Sequence, residues 1–467
     1  MSTQNVDPPV KPEPPAAAAA PKPPSGIRTV LRYTGIPVSW LDKKPKLPSR
    51  NWMIFLSITS TCIGYYAYDR RQCRRIKQEY IDKVKDLAEE RLNPLEPPRK
   101  VTVYGAKWPG DEDYDQALKY FRKYVKPILV AAAIDFDMIH GKRQGDIARR
   151  VAEDTRKRRR LDLGIDQPSE AAKLLPTYKP VEEVRRRELE GGIVIVGRHT
   201  FKEFMVGLKR GWTRGLNKVD EDEELSKILD EDHHFDEVDD SEDSTASNPA
   251  SHSPVFSMST YKAPKEQETS TDNQDAPATI PQLPPLLLVP FHNRIGLTQI
   301  PLMIWDWFNR RKWVQSGAEA GYRLVMAQTR PIDVPLRLSE EESTLDSTAE
   351  SNNGDLDFDK DADLLFKKSL HKIEEETEKE RASYYKKLPA KLETARALAR
   401  GTREPTKDEL STPPPTEVEL RAERLKKERR WRNDVESWNL IKPSASVEWD
   451  ERLRDALRVF TDPSKSA

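Results

Sequence analysis

The chain has 467 residues, with 78 basic and 78 acidic side chains, so its net charge is near zero and it has no overall pull toward nucleic acid. Only 36 % of the residues are apolar, 33 % are charged, and 37 are prolines. That composition excludes one continuous globule and implies one core domain, a single anchor and long disordered arms.

In chain order, residues 1–27 form a Pro/Ala-rich tail, expected to be disordered. Carrying Asp7 and Glu13, it lacks the Arg-rich amphipathic pattern of a presequence. A basic segment, 28–51, follows. Then seventeen residues carry no charge: Trp52, Met53, Ile54, Phe55, Leu56, Ser57, Ile58, Thr59, Ser60, Thr61, Cys62, Ile63, Gly64, Tyr65, Tyr66, Ala67 and Tyr68. As a helix they reach roughly 26 Å, the short end of what crosses a bilayer. Hydroxyls at Ser57, Thr59, Ser60 and Thr61 can return to helix carbonyls. Trp52 at one rim and Tyr65, Tyr66 and Tyr68 at the other match an interfacial belt. A soluble core helix would show a polar face, and this run shows none, so residues 52–68 are expected to be a transmembrane helix. Both flanks are basic, so charge leaves the orientation open. Cys62 and Cys73 lie about 16 Å apart on one helix, beyond disulfide reach, and no paired-Cys zinc pattern exists.

Residues 69–98 read as a charged helical stalk with Ile76, Tyr80, Val84 and Leu87 at helical spacing. An α/β domain begins at 99. "KVTVYGA" has strand composition. "DYDQALKYFRKYVK" puts Tyr114, Leu118, Phe121 and Val125 on one helical face, ended by Pro127. "AIDFDMI" alternates as a strand, and "GDIARRVAEDTRKRRR" is a basic helix. Ile193 to Val196 make a buried strand, and Thr200 with Glu203 spells a capping box before the stripe Phe201, Phe204, Met205 and Leu208. Strands alternating with helices imply a parallel sheet. The first part of the domain ends near 218.

Residues 219–280 are an acidic, then Ser/Thr-rich insertion, expected to be disordered; Asp220 to Asp243 hold fourteen acids against Lys227. The domain continues over 281–337, with a strand at "LLLVPF", a helix over "LTQIPLMIWDWFNRRKW" and a strand at "GYRLVMAQTRPI". Residues 338–430 are a charged, partly helical arm. The terminal segment, 431–467, puts Trp449, Leu453, Ala456, Leu457 and Phe460 on one face of an expected amphipathic helix.

Chemistry in such folds sits in the loops after the strands. The first strand is followed by "GAKWPG", the third by "GRHTFKE" and the next by "HNRIGLTQ". A phosphate cradle needs glycines and free backbone N–H groups at a helix start. "GRHT" has one glycine, with Arg198 and His199 where close approach would be needed. His199 and His292 have no carboxylate or nucleophile placed beside them by a motif and read as polar loop residues. His233 and His234 lie in the acidic run, and Asp135 and Asp137 share a strand face without a third ligand. No catalytic residue, metal or cofactor is therefore expected. Lys142, Arg143, Arg149, Arg150, Arg156, Lys157, Arg158, Arg159 and Arg160, with Arg185, Arg186 and Arg187, offer anionic lipid a surface or form a solvated face offset by the acidic insertion.

The order "GIPVSWLDKKPKLPSRNW", a short apolar run, "YYAYDRRQCRRIKQEY" and "RKVTVYGAKWPGD" resembles the fungal 54-kDa subunit family of the mitochondrial inner-membrane carrier translocase. The resemblance is strongest over roughly 33–140. It implies a single-pass protein of the mitochondrial inner membrane, N-terminus in the matrix and C-terminal bulk in the intermembrane space. It implies a non-enzymatic role, supporting assembly of the complex and insertion of multi-spanning carriers. The implied partners are other translocase subunits, including the channel-forming one, small intermembrane-space chaperones and inner-membrane lipids. The element order also resembles diacylglycerol-kinase-type domains. That family's Gly-Gly-Asp-Gly-Thr after the third strand falls on Gly197, Arg198, His199 and Thr200, where the second glycine and the aspartate are missing. The implied fold is a degenerate kinase-like α/β shell; the alternative function is an anchored lipid-binding or lipid-kinase-like protein.

Overall fold

The computed structural model describes residues 49–90, 98–166, 178–216, 221–232, 234–235, 276–334 and 354–462. The tail 1–27, most of the segment 28–51 and His233 lie outside these residues. The chain divides into two compact units between Tyr65 and Tyr66, a boundary inside helix α1 (Arg50–Val84). In the first unit the apolar side chains of α1 are exposed, Trp52, Ile58 and Ile63 among them. Thr59 Oγ1 donates to the Phe55 carbonyl at 2.9 Å and Thr61 Oγ1 to that of Ser57 at 2.8 Å. Among the described residues, however, no helix is long and apolar enough to cross a membrane. The transmembrane character expected for 52–68 is therefore not shown: the uncharged run is short and diluted by four hydroxyl residues before Asp69 and the arginines begin.

The second unit is built on a six-stranded sheet. In chain order its elements are β1 (Lys100–Gly105), α2 (Gln116–Tyr124), α3 (Lys126–Ala131), β2 (Asp135–His140), α4 (Asp146–Asp162), α5 (Val181–Gly191), β3 (Ile193–Val196), α6 (Arg198–Thr213) and α7 (Glu221–Asp230). There follow β4 (Leu286–Val289), α8 (Ile300–Phe308), α9 (Arg311–Met326), β5 (Thr329–Pro331), α10 (Ile373–Ala399), α11 (Lys407–Ser411), α12 (Glu417–Ile441) and β6 (Arg458–Phe460). The strand order is β2-β1-β3-β4-β6-β5. All pairs are parallel except β5 with β6. Val103 lies opposite Val194, and Ile195 opposite Leu288.

The strands of the sheet's centre are apolar on both faces, as expected when helices cover both. Val101, Val103, Val194, Val196, Leu287 and Val289 pack with Phe121, Ile128, Ala318 and Leu324 from α2, α3 and α9. Tyr104, Ile195 and Leu286 pack with Ile147, Val151, Phe204, Met205 and Trp212 from α4 and α6. Helices α4 and α6 cross closely because Gly207 and Gly211 lack side chains. A Cβ on Gly207 would lie 2.6 Å from the Ala148 carbonyl oxygen.

Several expectations are corrected. The helical stalk packs on the domain: Val84 is fully buried, and Ile76, Tyr80 and Ile81 pack on the core. Pro127 sits at the start of α3, where its missing N–H costs nothing. The acidic insertion begins with helix α7, whose Leu225 and Leu229 are buried. The strand at "GYRLVMAQTRPI" shrinks to Thr329–Pro331, since α9 runs on to Met326. The charged arm folds back as α10 and α12, which pack through Tyr384, Leu388, Leu392, Leu420 and Trp431. Thr416 and Glu419 form a capping box at the start of α12. The C-terminal amphipathic helix does not form. A 3-10 turn, Glu451–Leu453, leads into β6, which pairs with β4 and β5.

Candidate functional site

From β1 the chain crosses to β2 on one side, and from β3 to β4 on the other. The strand order thus reverses between β1 and β3, and an open α/β sheet offers its ligand crevice outside the carboxyl ends of these strands. Here that position is filled by the chain's own side chains. Trp108, from the loop after β1, is buried. Its ring lies edge-on to His199 and Phe366, at 5.1 Å each, and to Phe291 at 5.7 Å.

At Gly197 the backbone turns at φ +84° and α6 begins immediately with Arg198. Arg198, His199 and Thr200 are therefore first-turn helix residues, all buried, which corrects the reading of Arg198 and His199 as loop positions. His199 Nε2 donates to the Ala106 carbonyl at 3.2 Å. Thr200 Oγ1 donates to the Val196 carbonyl at 2.7 Å and accepts the Ala106 N–H at 3.0 Å. Burial pushes the His199 imidazole down to about 4, so at neutral pH it is uncharged, and its Nδ1 has no hydrogen-bond partner among the described residues.

Beside it lies a buried ionic knot. Asp363, from a 3-10 turn (Lys360–Leu365), places Oδ2 at 2.8 Å from Arg198 Nε and 2.7 Å from Lys202 Nζ. Arg198 also donates to the carbonyls of Leu356 and Phe358, and Lys202 to those of Ile441 and Lys442. Burial lowers the Lys202 ammonium, and the bond to Asp363 offsets part of that. Two long cations at the head of α6 thus clamp the arm after β5 and the end of α12 across the crevice.

The expected Thr200–Glu203 capping box is absent, because α6 starts three residues earlier, with Gly197 at its N-cap. Glu203 instead serves a different helix. Its Oε2 accepts the Ile147 N–H at 3.2 Å in the first turn of α4, with the Gly145 and Ala148 N–H groups also facing it. Burial nevertheless raises its carboxyl to about 7.

The other candidates do not join this site. The His292 ring packs 5.0 Å from Trp313, and burial lowers it. Asp135 and Asp137 are exposed, and Asp137 pairs with Lys100 at 2.6 Å. His234 packs against Tyr385. Among the described residues no group of three or more His, Cys, Asp or Glu side chains could hold a metal ion. The basic helix α4 is largely neutralised: Arg149 pairs with Asp146, Lys157 with Glu153, Arg158 with Glu188 and Arg160 with Asp166. Arg159 turns inward to the carbonyls of Gly211 and Arg214.

Sequence reasoning missed Trp108, Lys202 and Asp363. The available signal was local: Leu356, Phe358, Leu365 and Phe366 are apolar residues embedded in an otherwise charged arm.

A family model described as inner membrane protein import complex subunit Tim54 matches residues 28–400. The chain is 34 % identical over 465 residues to the mitochondrial import inner membrane translocase subunit TIM54 of Cryptococcus neoformans var. neoformans serotype D, covering 96 % of this chain and 97 % of that one. It is 30 % identical over 343 residues to the subunit of the same name from Candida albicans, covering 64 % and 84 %, and 31 % identical over 284 residues to that of Yarrowia lipolytica, covering 46 % and 48 %. With matches of this extent, the chain belongs to the Tim54 family of inner membrane protein import complex subunits.

Proposed function

We propose that the chain is a structural, non-enzymatic subunit of the mitochondrial inner-membrane carrier translocase. In this reading it supports assembly of the complex and insertion of multi-spanning carriers. The observation that supports the absence of chemistry is the filled crevice: Trp108 packs against His199, Phe291 and Phe366 where an open α/β sheet would hold a ligand. Arg198 and Lys202, the cations that could meet a phosphate, are spent on Asp363 and backbone carbonyls. Its partners in this reading are the channel-forming and other subunits, the small intermembrane-space chaperones and inner-membrane lipids.

The reading includes a single pass through residues 52–68, with the bulk of the chain in the intermembrane space. The exposed apolar side chains of α1 support the pass. Arginine at both Ile58 and Ile63 is expected to cost about 2.5–3.5 kcal/mol of insertion each and to release the protein on carbonate extraction. The catalytic alternative is tested with purified full-length protein, ATP and diacylglycerol. No lipid phosphate is expected to form. Turnover by the unmodified chain that Lys202→Ala abolishes would overturn the proposal.

A further inference from the structure

Helix α8 is unusual for a helix on a folded unit: none of its residues is buried. Ile300, Leu302, Met303, Ile304, Trp305 and Trp307 are all exposed, and Leu297 just before them is 85 % exposed. Protein surfaces rarely leave so continuous an apolar patch uncovered without a binding role. Nine residues reach only about 13 Å, too short to cross a bilayer. A short apolar helix with two tryptophans suits the plane of the membrane interface. The acid on this helix, Asp306, is neutralised by Arg294 at 2.6 Å.

A cleft of about 620 Å³ adjoins it, lined by Tyr66, Arg70, Arg71, Arg74, Lys77, Lys123, Tyr124 and Arg310, among others. The two features are physically joined. Tyr66 stacks on Trp307 at 4.6 Å, and the Arg70 guanidinium lies 4.7 Å over Tyr66 and donates to the Trp307 carbonyl at 3.3 Å. Six cations line the cleft, and none of them pairs with a carboxylate among the described residues, in contrast to Arg149, Arg158 and Arg160 of α4. The nearby carboxylate, Asp69, is buried and accepts the Arg311 N–H and the Cys73 thiol. Burial and then the neighbouring Arg310, Arg70 and Lys77 depress the Lys123 ammonium; such mutual repulsion is relieved by a bound anion. Guanidinium forks suit phosphate oxygens.

We propose that α8 and this cleft form one docking site for a membrane surface carrying anionic phospholipid, α8 lying among the acyl chains and the cleft cations holding the lipid phosphate. The proposal locates lipid contact on the second unit. It does not depend on a span at 52–68, and it moves lipid recognition away from α4, whose charges are largely paired.

Full-length protein in dodecyl maltoside is titrated with dioctanoyl-phosphatidylglycerol, dioctanoyl-phosphatidylcholine and inorganic phosphate, with binding read by calorimetry. Each cation near an anionic surface contributes about 1 kcal/mol, so phosphatidylglycerol is expected to bind at least about tenfold more tightly than phosphatidylcholine. The variant Arg74→Gln, Lys77→Gln, Lys123→Gln should bring the two lipids level. These side chains are exposed or half-exposed, so its thermal unfolding should match that of the unmodified chain. The variant Ile304→Ser, Trp305→Ser should weaken phosphatidylglycerol binding and leave phosphate binding unchanged. Equal affinity for both lipids, unaltered preference in the triple variant, or phosphate binding as tightly as phosphatidylglycerol would each overturn the proposal.

Discussion

Asp363 is the residue on which the crevice closes. Its carboxylate is buried between Arg198 and Lys202, so removing it leaves two buried cations without a counter-ion. Breaking a buried pair from one side costs about 3–5 kcal/mol, and Asp363→Ala should lower the stability of the full chain by about that much in urea unfolding. Glu203 gives a second residue-scale expectation, with a sign. Burial raises its carboxyl above its unfolded value, to about 7. The folded chain therefore holds that proton more tightly, and the stability this confers is complete below about pH 4.5 and lost as pH rises through 7. His199 works in the opposite direction. Burial lowers it to about 4, so its contribution is full above about pH 6.5 and lost as pH falls through 4. The two slopes oppose each other between pH 4.5 and 6.5. Glu203→Gln keeps an acceptor for the α4 N–H groups and removes the falling limb. The variant should gain on the unmodified chain as pH rises from 5 to 8, by up to about 3 kcal/mol, measured by urea unfolding at both pH values.

At the scale of elements, the α4–α6 crossing depends on the small side of α6. Gly207→Val would drive a branched side chain into the Ala148 carbonyl and the Val151 side chain. Overpacking of this kind costs about 1–3 kcal/mol and should lower the midpoint of thermal unfolding without changing helix content by circular dichroism. The elements themselves were legible where periodicity was strong. The stripe Phe201, Phe204, Met205 and Leu208 marked the buried face of α6, and the run Ile193–Val196 marked a central strand. The region around Trp449 to Phe460 was misleading because its spacing satisfies a helical stripe, while its actual partners are β4 and β5, distant in sequence. The start of α6 was displaced for a different reason. The sequence offered a sound capping box at Thr200, but the positive φ of Gly197 lets the helix begin at once. That frees Glu203 to cap α4, a tertiary contact invisible to local pattern. The ionic knot was hidden likewise, since Asp363 lies far along the chain from both of its partners.

For the whole molecule, the family assignment and the geometry point the same way. A member of the Tim54 family has a sheet whose ligand-binding edge is closed by its own arm, with Trp108 and the Asp363 knot as the closure. Under the proposed structural role, the fold supplies surfaces and rigidity. The most direct measurement replaces the knot by apolar side chains of similar size, Arg198→Met, Lys202→Met and Asp363→Leu together. Buried ionic groups exchanged in this way often leave stability little changed. Carrier insertion into isolated mitochondria is then measured per unit of assembled translocase on native gels. A structural subunit retains the same insertion per assembled complex. Complexes that assemble normally but insert carriers at a tenth of the rate or less would show that these side chains carry chemistry, and would contradict the account.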